Sequence, residues 1–218
     1  MPPAPDTADP RWPDQLRQGL DALSLALSPD QQARLLDYLA LLARWNRAFN
    51  LTAVRDPAQM VSRHLLDSLA ILPWVRGPRV LDVGTGAGLP GITLAIALPD
   101  TEFQLLDSNG KKTRFVQQAI AELGLPNAGV TQARVEEFQD PRGFDTITSR
   151  AFADLARMLA LTEHLRAPGG RWAAMKAGLE ELRDLDERRY AHNAIPLKVP
   201  GEAARRHLVL VGEPGALE

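Results

Sequence analysis

Three glycines at 84, 86 and 88, a carboxylate at 82 and a second at 107 have the types and spacing to hold a ligand. They belong to Val80-Leu81-Asp82-Val83-Gly84-Thr85-Gly86-Ala87-Gly88-Leu89-Pro90-Gly91, an apolar strand running into a glycine loop and then a helix. Glycine suits such a loop because the chain must turn tightly and a ligand must approach the backbone closely. Asp107 ends the next strand, 23 residues beyond Gly84, where a carboxylate can accept hydrogen bonds from both hydroxyls of a ribose. A dinucleotide loop would place its third glycine at position 89; Leu89 stands there, and the glycine falls at 88. A plain glycine-rich turn would leave both carboxylates unexplained, and NAD remains the lesser alternative as ligand.

The run D-x-G-x-G-x-G, led by Asp82, resembles the first motif of methyltransferases that use S-adenosylmethionine. In those proteins the loop cups the methionyl part, and the leading acid faces the ligand's amino group directly or through water. Absences then narrow the acceptor. The chain has no cysteine, which excludes a disulfide framework, a Cys-ligated zinc or iron–sulfur site, and the thiolate adduct usual in methylation of pyrimidine C5. Methylation of an exocyclic base amine commonly uses an Asn/Asp-Pro-Pro-aromatic turn after the fourth strand; here that place reads Thr148-Ser149-Arg150-Ala151-Phe152. Arginine stays protonated and cannot act as a base, but its planar fork can hold an anion or orient a base edge. That suits an acceptor with a free lone pair, such as N7 of guanine, and a polar or anionic small molecule equally well.

Longer matches follow: Trp45-Asn46-x-x-x-Asn50-Leu51-Thr52, Arg63-His64-Leu65-Leu66-Asp67-Ser68, the glycine loop, Leu106-Asp107-Ser108 with Lys111, Arg134-Val135-Glu136-Glu137-Phe138, Ser149-Arg150-Ala151-Phe152 and Arg206-His207-Leu208. In order and spacing they resemble the bacterial ribosomal RNA small subunit methyltransferase G family, also called glucose-inhibited division protein B, over about Leu35 to Val211. The resemblance implies transfer of a methyl group from S-adenosylmethionine to N7 of a guanosine in the decoding region of 16S ribosomal RNA. It places Asp82, Gly84, Thr85, Gly86, Gly88, Leu89, Asp107, Ser108, Val135 and Glu136 around the cofactor, Asp107 on its ribose and Val135 and Glu136 beside its adenine. It puts Arg150 beside both cofactor and acceptor, with Lys176 as the second catalytic residue, and moves His64 to the acceptor site. One departure is local: the family usually has Lys-Gly after the fifth strand, whereas Lys176 is followed by Ala177 and only then Gly178. The other functions to weigh are a small-molecule methyltransferase and a non-catalytic cofactor-binding ribosome-assembly factor.

The elements that must position these residues fall into two regimes. From Asp14 to about Val75 the pattern is helical: Leu16, Leu20, Leu23 and Leu27 form one amphipathic stripe. Ser28-Pro29-Asp30-Gln31 starts a second helix running to about Ala48, and Asp56-Pro57 starts a third that ends at Pro73. From Arg79, strands expected at Arg79–Val83, Phe103–Asp107, Gly129–Gln132, Phe144–Ser149 and Gly170–Lys176 alternate with helices near Leu89–Leu98, Lys111–Leu123, Asp154–Leu165 and Leu179–Arg188. Ala194–Val199 and Arg206–Val211 read as a terminal antiparallel pair. The expected fold is α/β, a class I, Rossmann-like S-adenosylmethionine-dependent methyltransferase with a mainly parallel sheet and a C-terminal antiparallel hairpin. Residues 1–13 are expected as a disordered proline-rich tail, 14–75 as a helical extension packed on the core, and 76–218 as the methyltransferase core.

Charge gives weaker guidance. The chain carries 25 Lys and Arg against 27 Asp and Glu, so any RNA face must be a local patch. Residues 111–218 hold 16 basic and 15 acidic groups, which is no basic domain either. Lys111, Lys112 and Arg114 open a helix, where cations oppose the macrodipole and so suggest a use. With His64, Arg134 and Arg206 they form the candidate RNA contacts, whereas Arg188 and Arg189 beside Asp184, Asp186 and Glu187 read as surface ion pairs. Trp45 and Phe49 are expected in core packing, and the four histidines show no metal-ligand spacing. No apolar run is long enough to span a membrane. The expectation is a cytoplasmic monomer without a metal, acting on 16S ribosomal RNA or the small-subunit particle.

Overall fold

The computed structural model describes residues 8–186 and 188–213. Two helices come first, α1 (Trp12–Ala22) and α2 (Pro29–Phe49). The second is capped as its sequence dictates: Ser28 Oγ accepts from the Gln31 amide, and the Gln31 side chain accepts from the Ser28 amide. Next comes α3 (Pro57–Met60), started by the Asp56 cap, which runs through a wider π-helical turn at Val61–Leu66 into α4 (Asp67–Leu69).

The sheet then alternates with helices: β1 (Arg79–Val83), α5 (Gly91–Ala97), β2 (Glu102–Asp107), α6 (Gly110–Leu123), β3 (Ala128–Gln132), β4 (Phe144–Arg150), α7 (Leu155–Thr162), β5 (Arg166–Lys176), β6 (Ala191–Leu197) and β7 (Arg206–Gly212). Strand order is β3-β2-β1-β4-β5-β7-β6. The first five are parallel, β7 runs antiparallel to β5, and β6 pairs antiparallel with β7. The order reverses between β1 and β4, which opens a crevice at the carboxyl ends of those two strands.

Both faces of the sheet are covered. On one, α1, α2, α5 and α6 share a single apolar core that includes Trp12, Leu16, Leu35, Tyr38, Phe103 and Phe115. The N-terminal helices are thus continuous with the core of the sheet. On the other face, Leu155, Met158 and Leu159 of α7 pack with Phe144, Ile147 and Trp172.

Three expectations are corrected. Helix α1 begins at Trp12, inside the segment expected to be a tail; Trp12 is buried and its indole donates to the Pro57 carbonyl at 2.8 Å. Residues 1–7 of that segment lie outside the described residues. Helix α1 also stops at Ala22, and Ser24 adopts a left-handed φ of 55°, so Leu27 is not part of its stripe. The expected helix over Leu179–Arg188 is a short 3₁₀ turn at Glu180–Asp184, and Glu187 lies outside the described residues. Leu179, Leu182 and Leu185 recur every three residues, the period of a 3₁₀ turn, and all three pack against the second core.

Candidate active site

The glycine loop leaves β1 while still tied to the next strand: the amides of Gly84 and Thr85 both donate to the Leu106 carbonyl, at 2.8 and 3.1 Å. Asp82 braces it from below. Its Oδ2 accepts from Thr85 Oγ1 at 2.5 Å and from the Gly91 amide at 2.8 Å, while Oδ1 has no partner among the described residues. Burial raises the Asp82 carboxyl to about 6, against the opposing pull of those two hydrogen bonds and of Arg150. Gly84 has φ +67°, and a Cβ there would drive into the Phe152 ring. At Gly86 a Cβ would meet nothing nearer than the Gly84 carbonyl at 3.9 Å, so that side of the loop is open.

Asp107 completes the loop's support. One carboxylate oxygen accepts from the Gly86 amide at 2.9 Å and the other from the Asn109 amide at 2.8 Å. A carboxylate has about four acceptor positions, so two remain for a ligand diol. Above it lies a cavity of about 480 Å³, lined by Val83, Gly84, Leu106, Asp107, Ser108, Val135, Glu136, Phe152 and Leu161, with Lys112, Arg134 and Arg157 at the same wall. Its size is that of a cofactor site. Its apolar flanks, the Asp107 carboxylate and the Gly84 backbone are groups that could hold the adenine, ribose and methionyl parts of S-adenosylmethionine.

A second cavity of about 690 Å³ lies beyond the segment Ala151–Asp154, which lines both. Ala151 takes a left-handed φ of 56°, turning the chain as it leaves β4. The wall of this second cavity comes from the helical extension (Thr52, Ala53, Val54, Arg63, His64, Asp67), from the ends of β4 and β5 (Arg150, Met175, Lys176) and from Arg206 at the start of β7. Charges here are already paired. Asp67, only 4% exposed, accepts from Arg150 Nη1 at 3.1 Å and from Arg206 Nε at 3.2 Å. Arg150 also donates to the Arg63 carbonyl at 2.9 Å, and Arg63 pairs with Glu202 at 3.2 Å. Lys176 Nζ reaches the Ala153 carbonyl and Glu181 Oε2, each at 2.7 Å. His64 is buried, with Nε2 3.2 Å from Thr52 Oγ1; burial and then the Arg150 charge lower its pKa to about 4, so it is neutral at pH 7.

The candidate residues therefore divide. Gly84, Asp107, Ser108, Val135, Glu136, Lys112 and Arg134 meet at the first cavity, whereas Arg150, Lys176, His64 and Arg206 meet at the second. Asp82, Thr85, Gly86, Gly88 and Leu89 line neither cavity: the first four shape and brace the loop, and Leu89 is buried in the apolar core. Lys111 and Arg114 are exposed on α6 and also line neither. Sequence reasoning gave no role to Asp67 or Phe152. The lone acid in the apolar run Leu65-Leu66-Asp67 was a usable signal, whereas Phe152 gave none. Phe49, expected in the core, is 47% exposed.

A family model described as rRNA small subunit methyltransferase G matches residues 31–209. The chain belongs to that family. The methyltransferase G of Laribacter hongkongensis is 54% identical over 201 residues, covering 91% of this chain and 97% of the relative. That of Marinobacter nauticus is 50% identical over 204 residues, covering 93% and 95%. As a methyltransferase G, the chain is an rRNA methyltransferase whose methyl donor is S-adenosylmethionine. Solved structures bear on the fold alone. A putative O-methyltransferase from Klebsiella pneumoniae aligns with a TM-score of 0.61 at 15% identity, over 94% of this chain and 98% of that one. The O-methyltransferase TomG from Streptomyces achromogenes, solved with its cofactor, gives 0.60 at 16%, over 91% and 96%.

Proposed function

We propose that this methyltransferase acts on N7 of a guanosine in 16S ribosomal RNA, presented by the small ribosomal subunit. The observation that carries the proposal is that the bases lining the second cavity already hold donors or are very weak. Asp67 is occupied by two guanidinium groups, Glu181 by Lys176 and the Leu155 amide, and Asp154 by the Arg157 amide that it caps, while burial makes His64 a very weak base. Such a wall suits an acceptor that has no proton to lose, as N7 of guanine has none.

On the cofactor side, the loop from Gly84 to Gly88 would hold the methionyl part, Asp107 the ribose hydroxyls, and Val135 and Glu136 the adenine. Asp82 Oδ1, without a partner among the described residues, is the acceptor left for the amino group, directly or through water. When bound, S-adenosylmethionine supplies an electrophilic methyl group on a sulfonium. This chain's own residues do the positioning. Arg150, fixed by Asp67 and the Arg63 carbonyl, presents its fork to the guanine edge, and Lys176 holds the 151–154 segment through the Ala153 carbonyl. Phe152 lies where the cavities meet and keeps water from their junction. Catalysis is then orientation and fixed electrostatics.

N7 of a paired guanine lies in the deep, narrow major groove of A-form RNA, so the target must be unpaired or extruded. Lys111, Lys112, Arg114, Arg134 and Arg206 would meet the surrounding RNA. We read the chain as a monomer, since one chain lines both cavities, and as cytoplasmic, since its substrate is ribosomal RNA. Among the described residues no helix is long and apolar enough to cross a membrane, and no cluster of three or more His, Asp or Glu could hold a metal. Mapping modified bases in cells lacking the gene tests the proposal. Loss of one N7-methylguanosine from 16S ribosomal RNA is expected, and retention of every one would refute it.

A further inference from the structure

Helix α2 crosses α6 at an aromatic contact: Trp45 meets Phe115, 5.6 Å between ring centroids. Phe49 is one turn beyond Trp45 on α2, and Lys111 and Arg114 are within about one turn of Phe115 on α6. Phe49 is the one large apolar side chain left exposed among the described residues. Its ring packs against Trp45, centroids 5.2 Å apart, while half of it faces solvent.

The surroundings are cationic. Arg47, Arg55, Lys111 and Arg114 are all exposed, and none has a carboxylate partner among the described residues. Arg55 is pinned beside Phe49 by a 2.6 Å bond from its Nη2 to Asn50 Oδ1. The cations of the second cavity, by contrast, are neutralised by Asp67, Glu181 and Glu202. Free positive charge thus gathers outside the cavity, around an exposed aromatic face. Three residues after Phe49 the chain enters the cavity wall at Thr52–Val54, and Lys112 of α6 lines the cofactor cavity.

We propose that Phe49 is a stacking platform for an unpaired nucleotide of the RNA substrate close to the methylated base, with Arg47, Arg55 and Lys111 contacting the adjoining phosphates. An aromatic face flanked by cations is the chemistry that binds unpaired bases, because every base has a π-face and every link a phosphate. The inference rests on the proposed function for the identity of the RNA, but the platform can be tested without turnover.

Filter binding of naked 16S ribosomal RNA and of small subunits to the whole chain reads it directly. Phe49→Ala should weaken binding roughly tenfold, within the range measured when a stacking aromatic is removed. Phe49→Trp should bind as the wild type does, and Phe49→Leu, which keeps an apolar cover but no ring, should behave like Phe49→Ala. Arg47→Gln and Lys111→Gln should each lower the dependence of log affinity on log salt by about one. S-adenosylmethionine affinity should not move in any of them. Wild-type RNA binding by Phe49→Leu or by Phe49→Ala would overturn the platform. Wild-type protein that binds RNA in this ring-dependent way but never methylates it would refute the proposed function and leave the platform standing.

Discussion

On one side of Phe152 the wall is largely backbone: the turns at Gly84, Gly86 and Gly88, and the Asp107 carboxylate that holds the Gly86 and Asn109 amides. On the other side it is side chains, with two arginines sharing one buried aspartate and a lysine held by a glutamate. The first arrangement comes from short-range sequence and keeps acceptor capacity in reserve for a ligand. The second assembles residues 52 to 206 and has satisfied its charges internally, so it can orient an acceptor but has little basicity to offer. In the proposed reading, a cofactor common to many enzymes is served by the local motif, and the acceptor by long-range assembly.

The largest effect should come from Gly84→Val. Its φ of +67° disfavours any side chain, and the new atoms would overlap the Phe152 ring. Calorimetry should find S-adenosylmethionine affinity down by about a hundredfold or more, the scale of an overpacked and strained site, with methyl transfer lost as a result. Affinity within a factor of two of wild type would show that the loop is not the cofactor's seat.

Asp67→Ala probes the other wall. Removing the shared partner of two part-buried guanidinium groups should cost up to about 3 kcal/mol, toward the lower end for a broken buried pair because both arginines reach solvent. Denaturant melts should show that loss and Asp67→Asn a smaller one. Methyl transfer should fall in both, while cofactor affinity in the folded protein stays unchanged. A parallel loss of cofactor affinity would mean the two walls are coupled.

A smaller effect separates the walls by pH. Asp82 is raised from its ordinary 3.8 to about 6, so between those values the folded state binds more protons than the unfolded one. Its contribution makes stability fall as pH rises through that window. His64 is lowered from 6.5 to about 4, so the folded state binds fewer protons there and stability rises with pH between about 4 and 6.5. The two oppose each other across nearly the same range. Relative to wild type, urea midpoints of Asp82→Asn should climb more steeply from pH 4 to 6.5, and those of His64→Gln should climb less or decline. Parallel curves for all three proteins would remove both groups from the balance.

These contrasts also account for what could be read beforehand. The strand–loop–helix at 79–97 was legible because glycine spacing and strand-end carboxylates are local signals, and the Ser28–Gln31 and Asp56 caps marked the helix starts for the same reason. The start of α1 was missed because five prolines in the first 13 residues mask it, although Pro13 occupies a first-turn position that a helix accepts. The pairing of Asp67 with Arg150 and Arg206 joins positions 83 and 139 residues apart, which no local pattern encodes. Phe49 shows the converse: apolar type and helical spacing favoured burial, yet it lies at the last residue of α2, past the end of the packed face.

The division between the walls meets its most direct test in Arg150→Ala, the residue that resemblance would place beside cofactor and acceptor alike but that lines only the second cavity. Titrating S-adenosylmethionine into this variant by calorimetry should return the wild-type affinity in a protein that no longer methylates small subunits. Loss of cofactor binding would contradict the account, because Arg150 would then belong to the first wall.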